Sequence, residues 1–194
     1  SGFFVTQRFV TQASQSSWDR RAELDVFHAT PSAQSACGME DFMKVVDMHC
    51  DTIAALYENK EKGWTLQDNG LHIRLDKMKQ GDYLLQNFAL FVCIENCEDP
   101  YQQALTLADC FDRQMALFPE QIGQVRCYND ILENQKNGRM SALLTIEEGA
   151  VCQGSLEKLR EFYDRGVRML TLTWNFPNEI GFPNFCHFRG WQAG

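Results

Sequence analysis

No stretch of the 194 residues approaches the roughly 18 consecutive apolar residues of a membrane-spanning helix. Positive charge is scarce. Lys and Arg number 18 against 26 Asp and Glu, giving a formal net charge of −8 and a pI near 5.0. Nucleic-acid partners and anionic lipid surfaces are therefore not expected, because both call for a basic patch. The first ten residues, SGFFVTQRFV, are too polar for the apolar core of an export signal, so a cytoplasmic protein is expected. The 8 cysteines include no CxxC pair; Cys93 and Cys97 form a lone CxxxC. Structural zinc on thiolates usually needs paired short spacings, so these read as scattered reduced thiols. Histidine is limited to four positions, 28, 49, 72 and 187, and no Ser-His-Asp or Cys-His arrangement is present. What remains is a chain with 44% hydrophobic and 23% charged residues, the proportions of a globular domain with a core.

Residues 1–42 differ from the rest. They hold 6 Ser, 4 Gln and 3 Thr but no Lys, and show no sustained period of 2 or 3.6. They are expected to be a disordered or non-native N-terminal extension, with Met43 as the natural start. From there strands and helices alternate. Val45–Met48 reads as a buried strand. Leu75–Gln80 reads as a short helix with Gly81 placed to end it, and Leu84–Cys93 as a second strand. Asp99 and Pro100 supply an N-cap and a first helical residue. The helix they open turns Ala104, Ala108, Phe111, Met115 and Phe118 to one face, and Pro119 helps to stop it. Asn129–Lys136 reads as a helix and Ser141–Glu147 as a third strand. Ser155 caps a helix with Leu156, Leu159, Phe162 and Tyr163 on one face, ended by Gly166. Val167–Trp174 is the fourth strand.

Four βα units in a row imply a parallel sheet with right-handed crossovers. Two architectures satisfy this, a doubly wound sheet and part of a TIM-type (β/α)8 barrel. The second is preferred, because residues 175–194 hold no further strand–helix unit and such barrels need about 250 residues. Residues 43–194 would then be an N-terminal half-barrel.

In either architecture, active sites form at the carboxyl ends of the strands. The first strand ends in His49-Cys50-Asp51. Residues two apart on a strand share a face, so His49 and Asp51 can aim at one point with Cys50 turned away. Imidazole nitrogen and carboxylate oxygen are both zinc ligands. The third strand ends in Glu147-Glu148 and the fourth in Trp174-Asn175. Together these suggest a divalent-metal hydrolase.

The segments VVDMHCDT, LLQNFALFV, ALLTIEEGA and DRGVRMLTLTWN, in this order and spacing, resemble successive strands of the membrane (renal) dipeptidase family of zinc peptidases. NEIGFPN at 178–184 is similar to a loop of its bacterial members. The resemblance implies a (β/α)8 barrel with two zinc ions at the strand ends. His49 and Asp51 would bind one ion. A glutamate would bridge both, and ungapped spacing from the GVR at 166–168 puts Glu147 there, with Glu148 as fallback where the family has Gly. Glu147 is thus the expected catalytic residue as well as a metal ligand. The implied reaction is hydrolysis of a dipeptide by a metal-bridging hydroxide, with D-residues tolerated at the second position, and a homodimer is compatible with it.

Two departures stand out. The family's histidine at the end of strand four is replaced by Trp174, so Trp174 and Asn175 become the expected substrate contacts. The second zinc's two histidines and the proton-shuttling aspartate, from later strands, have no counterpart here, so this half alone is expected to be inactive. The alternatives are another barrel hydrolase of amidohydrolase type, or a truncated relative that has lost catalysis.

Overall fold

The computed structural model describes residues 4–6 and 44–183. Apart from Phe4–Thr6, the expected extension lies outside the described residues, as do His28 and His187. The chain forms β1 (Phe4–Thr6), β2 (Val45–Asp47), α1 (Thr52–Glu58), α2 (Leu75–Gln80), β3 (Tyr83–Phe91), α3 (Pro100–Leu117), β4 (Ile122–Val125), α4 (Tyr128–Lys136), β5 (Met140–Glu147), α5 (Leu156–Asp164) and β6 (Met169–Thr171). All strand pairs are parallel. The sheet order is β1-β6-β5-β3-β2, with β4 also on β5.

β5 is the spine. One edge runs along β3 from Ser141 to Glu147. The other is shared: β4 takes Met140–Leu143 and β6 takes Thr145–Glu147. Alternation sorts the side chains. Ala142, Leu144 and Ile146 join Phe88, Leu90 and Leu170 in the core with α1 and α3. The opposite face carries Leu85, Asn87, Ala89 and Phe91 in register with Ser141, Leu143, Thr145 and Glu147.

The helices form where capping chemistry allows. The Asp99 carboxylate accepts from the Gln102 N–H at 3.2 Å, and Pro100 occupies the first turn, where its missing N–H costs nothing. α3 buries Ala104, Leu107, Ala108 and Phe111, and Phe111 meets Phe88 at 5.9 Å between ring centroids. Ser155 caps α5 through the Lys158 N–H, and Gly166 beyond it has φ 105°, which suits only glycine without strain.

Gly81 ends α2 as expected, standing as its C-cap, while the left-handed conformation falls on the next residue, Asp82 (φ 52°). Four expectations are corrected. The first strand is not buried: Val45 and Val46 are exposed, because β2 is the edge strand of the sheet. Leu156 is 79% exposed, because contact of α5 with the core begins one turn later, at Leu159 and Phe162. The fourth strand ends at Thr171 and not Trp174, since side-chain hydrogen bonds replace the ladder from Leu172 on. The strand β4 was not expected. Its buried residues Ile122 and Val125 are three apart around Gly123 and Gln124, which hides the strand alternation.

Candidate metal centre

At the carboxyl edge of the sheet, His49, Asp51 and Glu147 come together. β2 ends at Asp47, but pairing with β3 resumes at Cys50. The Cys50 N–H donates to the Asn87 carbonyl (3.0 Å) and its carbonyl accepts from the Ala89 N–H (2.9 Å). These bonds fix the backbone between His49 and Asp51. The Cys50 side chain packs against the core, and burial pushes its thiol up to about 11. The His49 N–H donates to the Asp47 carboxylate at 3.1 Å. Asp51 is the N-cap of α1, yet its side chain accepts no capping hydrogen bond, unlike most aspartates at that position. It approaches His49 instead.

Glu147 ends β5, in register between Phe91 and Thr171. Its side chain is 4% exposed, against 33% for His49 and 53% for Asp51. One carboxylate therefore lies at the floor and the other faces solvent. His49 Nε2 stands 2.9 Å from Glu147 Oε2 and 3.2 Å from Asp51 Oδ1. Neither approach is aligned as a hydrogen bond, so the buried nitrogen has no hydrogen-bond partner among the described residues. Two negative groups so close still hold a proton on the imidazole. Asp51 first and Glu147 next raise its pKa from 6.5 to about 9, against the opposing effect of burial. Potential ligand atoms of the three residues all lie within 4.8 Å of one another. An imidazole nitrogen has one in-plane direction and cannot serve two oxygens well. A divalent cation accepts all three donors at once, so the set fits a metal.

The adjacent Glu148 goes elsewhere. It is fully buried, with φ 95°. Its carboxylate accepts from the Ala150 N–H at 3.0 Å, the Trp174 N–H at 3.2 Å and the Asn178 side-chain amide at 2.6 Å. Trp174 is half-buried, its ring edge-on to Phe91 at 5.0 Å between centroids. Asn175 is exposed and takes no part in the triad. His72 is also exposed. Cys50, Cys93, Cys97, Cys110, Cys127 and Cys152 are free.

Sequence reading missed Asp47, Phe91 and Asn178 as supports of this site. The choice between the two glutamates was available from alternation: Leu144 and Ile146 face the core, so Glu147 takes the other face, the one Phe91 shares.

The family model for membrane dipeptidases (peptidase family M19) matches residues 34–182. Dipeptidase 3 of Rattus norvegicus is 31% identical over 151 residues, covering 73% of this chain and 29% of the relative. A Schizosaccharomyces pombe dipeptidase, itself uncharacterized, is 30% identical over 152 residues, covering 70% of this chain and 36% of the relative. The solved structure of dipeptidase AC, an M19 metallopeptidase, aligns with a TM-score of 0.62 at 22% identity, covering 70% of this chain and 44% of that one. A Rhodobacter sphaeroides metallopeptidase, solved with a phosphinate mimic of L-Ala-D-Ala, gives a TM-score of 0.61 at 20% identity and covers 74% and 50%. The chain thus spans about a third of the curated relatives' length and half or less of the solved ones. The likeness shows the fold, a partial TIM-like barrel with its parallel sheet. No helix among the described residues is long and apolar enough to cross a membrane. With a family model covering most of its length, this chain belongs to the membrane dipeptidase family, peptidase family M19.

Proposed function

We propose that the protein is a zinc-dependent dipeptidase, and that His49, Asp51 and Glu147 are this chain's share of a two-zinc site. The observation that carries the reading is the convergence of two carboxylates on His49 Nε2, at 2.9 and 3.2 Å, without a hydrogen bond of good geometry to either. His49 and Asp51 would hold one ion. Glu147, buried at the end of β5, offers two oxygens and would be the bridging ligand, the catalytic residue proposed for this half. Bound zinc would polarise the scissile carbonyl and lower the pKa of a water.

The chain's own groups arrange the rest. Cys50, through its backbone, keeps His49 and Asp51 on one side of the strand end. Asp51 lies toward solvent, where a dipeptide enters. The Trp174 ring, seated on Phe91 beside Glu147, walls the approach, and exposed Asn175 stands at its rim as a substrate contact. A dipeptide is the proposed substrate; the Rhodobacter relative's dipeptide-mimic ligand supports that class.

The test is metal analysis of the whole native protein, not of this chain alone, together with hydrolysis of L-Ala-D-Ala and L-Ala-L-Ala read as release of free amine. Zinc bound by wild type, and lost with activity in His49→Ala and Glu147→Gln, is the expected result. Hydrolysis that survives in either variant overturns the assignment, and a protein that binds no zinc overturns the reading altogether.

A further inference from the structure

Resting on that reading, we propose that Glu148 is a positioning residue that sets the stance of Trp174 beside Glu147 and so selects dipeptides with a bulky apolar side chain.

Glu148 sits at φ 95°, where glycine is at ease and glutamate is strained. What opposes the strain is a fully buried carboxylate that takes three donors. Two are backbone N–H groups, of Ala150 and Trp174, and the third is the Asn178 amide. Asn178 carries the hold onward. Its amide also donates to the Leu172 carbonyl at 2.8 Å, and its Oδ1 accepts from the N–H groups of Ile180 (2.8 Å) and Gly181 (3.2 Å). The Glu148 carboxylate and the Asn178 side chain together therefore tie the chain from Leu172 to Gly181, where no strand ladder does so. Gly149 completes the fit: a Cβ there would stand 2.6 Å from both the Leu172 carbonyl oxygen and Ile180 Cδ1.

The seat of Trp174 gives this hold its consequence. Phe91 and Glu147 are in register on neighbouring parallel strands, so their side chains share a face. Trp174 packs edge-on against Phe91, and Phe176 against Trp174 at 6.2 Å. Three aromatic rings thus form an apolar wall beside the buried carboxylate of the metal group. Such a wall favours an apolar substrate side chain and gives nothing to a charged one. Because the carboxylate grips the Trp174 backbone, a loosened grip moves the wall and leaves the metal ligands in place.

The experiment uses Glu148→Gln and Glu148→Gly in the native protein. Gln keeps the shape, and Gly relieves the backbone strain. Amide exchange across 172–181 is expected to rise about tenfold or more in both, the equivalent of one lost charge-assisted hydrogen bond, while exchange in β5 and zinc content stay at wild-type values. The near-ultraviolet circular dichroism of the Trp174–Phe91 pair should weaken. KM for L-Leu-L-Phe should rise about tenfold with kcat within about twofold, and KM for Gly-Gly should not move. Unchanged exchange in both variants overturns the proposal, as does an equal loss on both substrates. Zinc loss would make Glu148 part of the metal group and also overturn it. A wild type that hydrolyses no dipeptide sinks the dipeptidase reading and with it the selectivity, whereas exchange and dichroism separately decide whether Glu148 holds the loop.

Discussion

The segment after β2 and the segment after β6 lie on the same edge of the sheet and are held there in opposite ways. After β2 the backbone does the holding, through the two Cys50 bonds to β3, and the flanking side chains His49 and Asp51 remain available to each other. After β6 the ladder stops at Thr171, and a side chain takes over, with the Glu148 carboxylate gripping backbone N–H groups and Asn178. Glu147 and Glu148 make the same contrast within one dipeptide. Where the main chain supplies the anchor, a carboxylate can face a ligand. Where it does not, a carboxylate is consumed as the anchor.

The comparison breaks most visibly if a facing group is removed. His49→Ala deletes a donor without touching the Cys50 anchor, so zinc affinity, read by calorimetry, should fall by more than about 100-fold, beyond what loss of a supporting group alone causes. Its unfolding midpoint without metal should shift little by comparison. On the other side, Gly149→Ala forces a methyl against the Leu172 carbonyl oxygen and Ile180. It should cost about 1–3 kcal/mol in urea unfolding, with zinc affinity less affected than stability.

Protons sharpen the same contrast. The His49 pKa in the metal-free fold is raised from 6.5 to about 9 by Asp51 and Glu147. Its imidazolium therefore stabilises the fold fully below pH 6.5, and that contribution is lost as pH rises through 9. Zinc competes with this proton, so apparent zinc affinity should climb roughly tenfold per pH unit up to about pH 9 and then level off. Metal-free stability should fall across the same window. A flat zinc-affinity profile between pH 7 and 9 would contradict the triad. The smallest effect is expected for Cys50→Ala. It leaves both backbone bonds in place and removes only a core-facing thiol, so stability should drop by about 1 kcal/mol with zinc affinity within about twofold. A larger affinity loss would mean that the side chain, and not the main chain, sets this end of the site.

Much of this was legible in the residues. The capped helices α3 and α5 announced themselves through Asp99-Pro100 and Ser155, because caps act locally. Of the three residues that converge, His49 and Asp51 were legible from their spacing by two at a strand end, and Glu147 from the spacing of the family-like segments. The parts that escaped depend on distant partners. Ile122–Val125 becomes a strand only because Met140–Leu143 offers a free edge. Beyond the end of β6 the Trp174 N–H bonds to Glu148, more than twenty residues upstream, and no periodicity near Thr171 reports it. Leu156 reads as a core residue by helical spacing, yet α5 meets the core only from Leu159 onward and leaves it in solvent.

The orientation of Cys50 has one more consequence. Its thiol stands between two of the three donors in sequence and is kept from them by half a turn of the chain. The His49, Asp51 and Glu147 triad consequently presents only nitrogen and oxygen. Such a donor set has no special appetite for soft ions such as cuprous copper, which a thiolate would attract. No thiol stands within the triad itself, whereas a thiolate there would be open to oxidation. The alternation that brings His49 and Asp51 together thereby also sets which ions such a triad would favour and keeps the Cys50 thiol out of it.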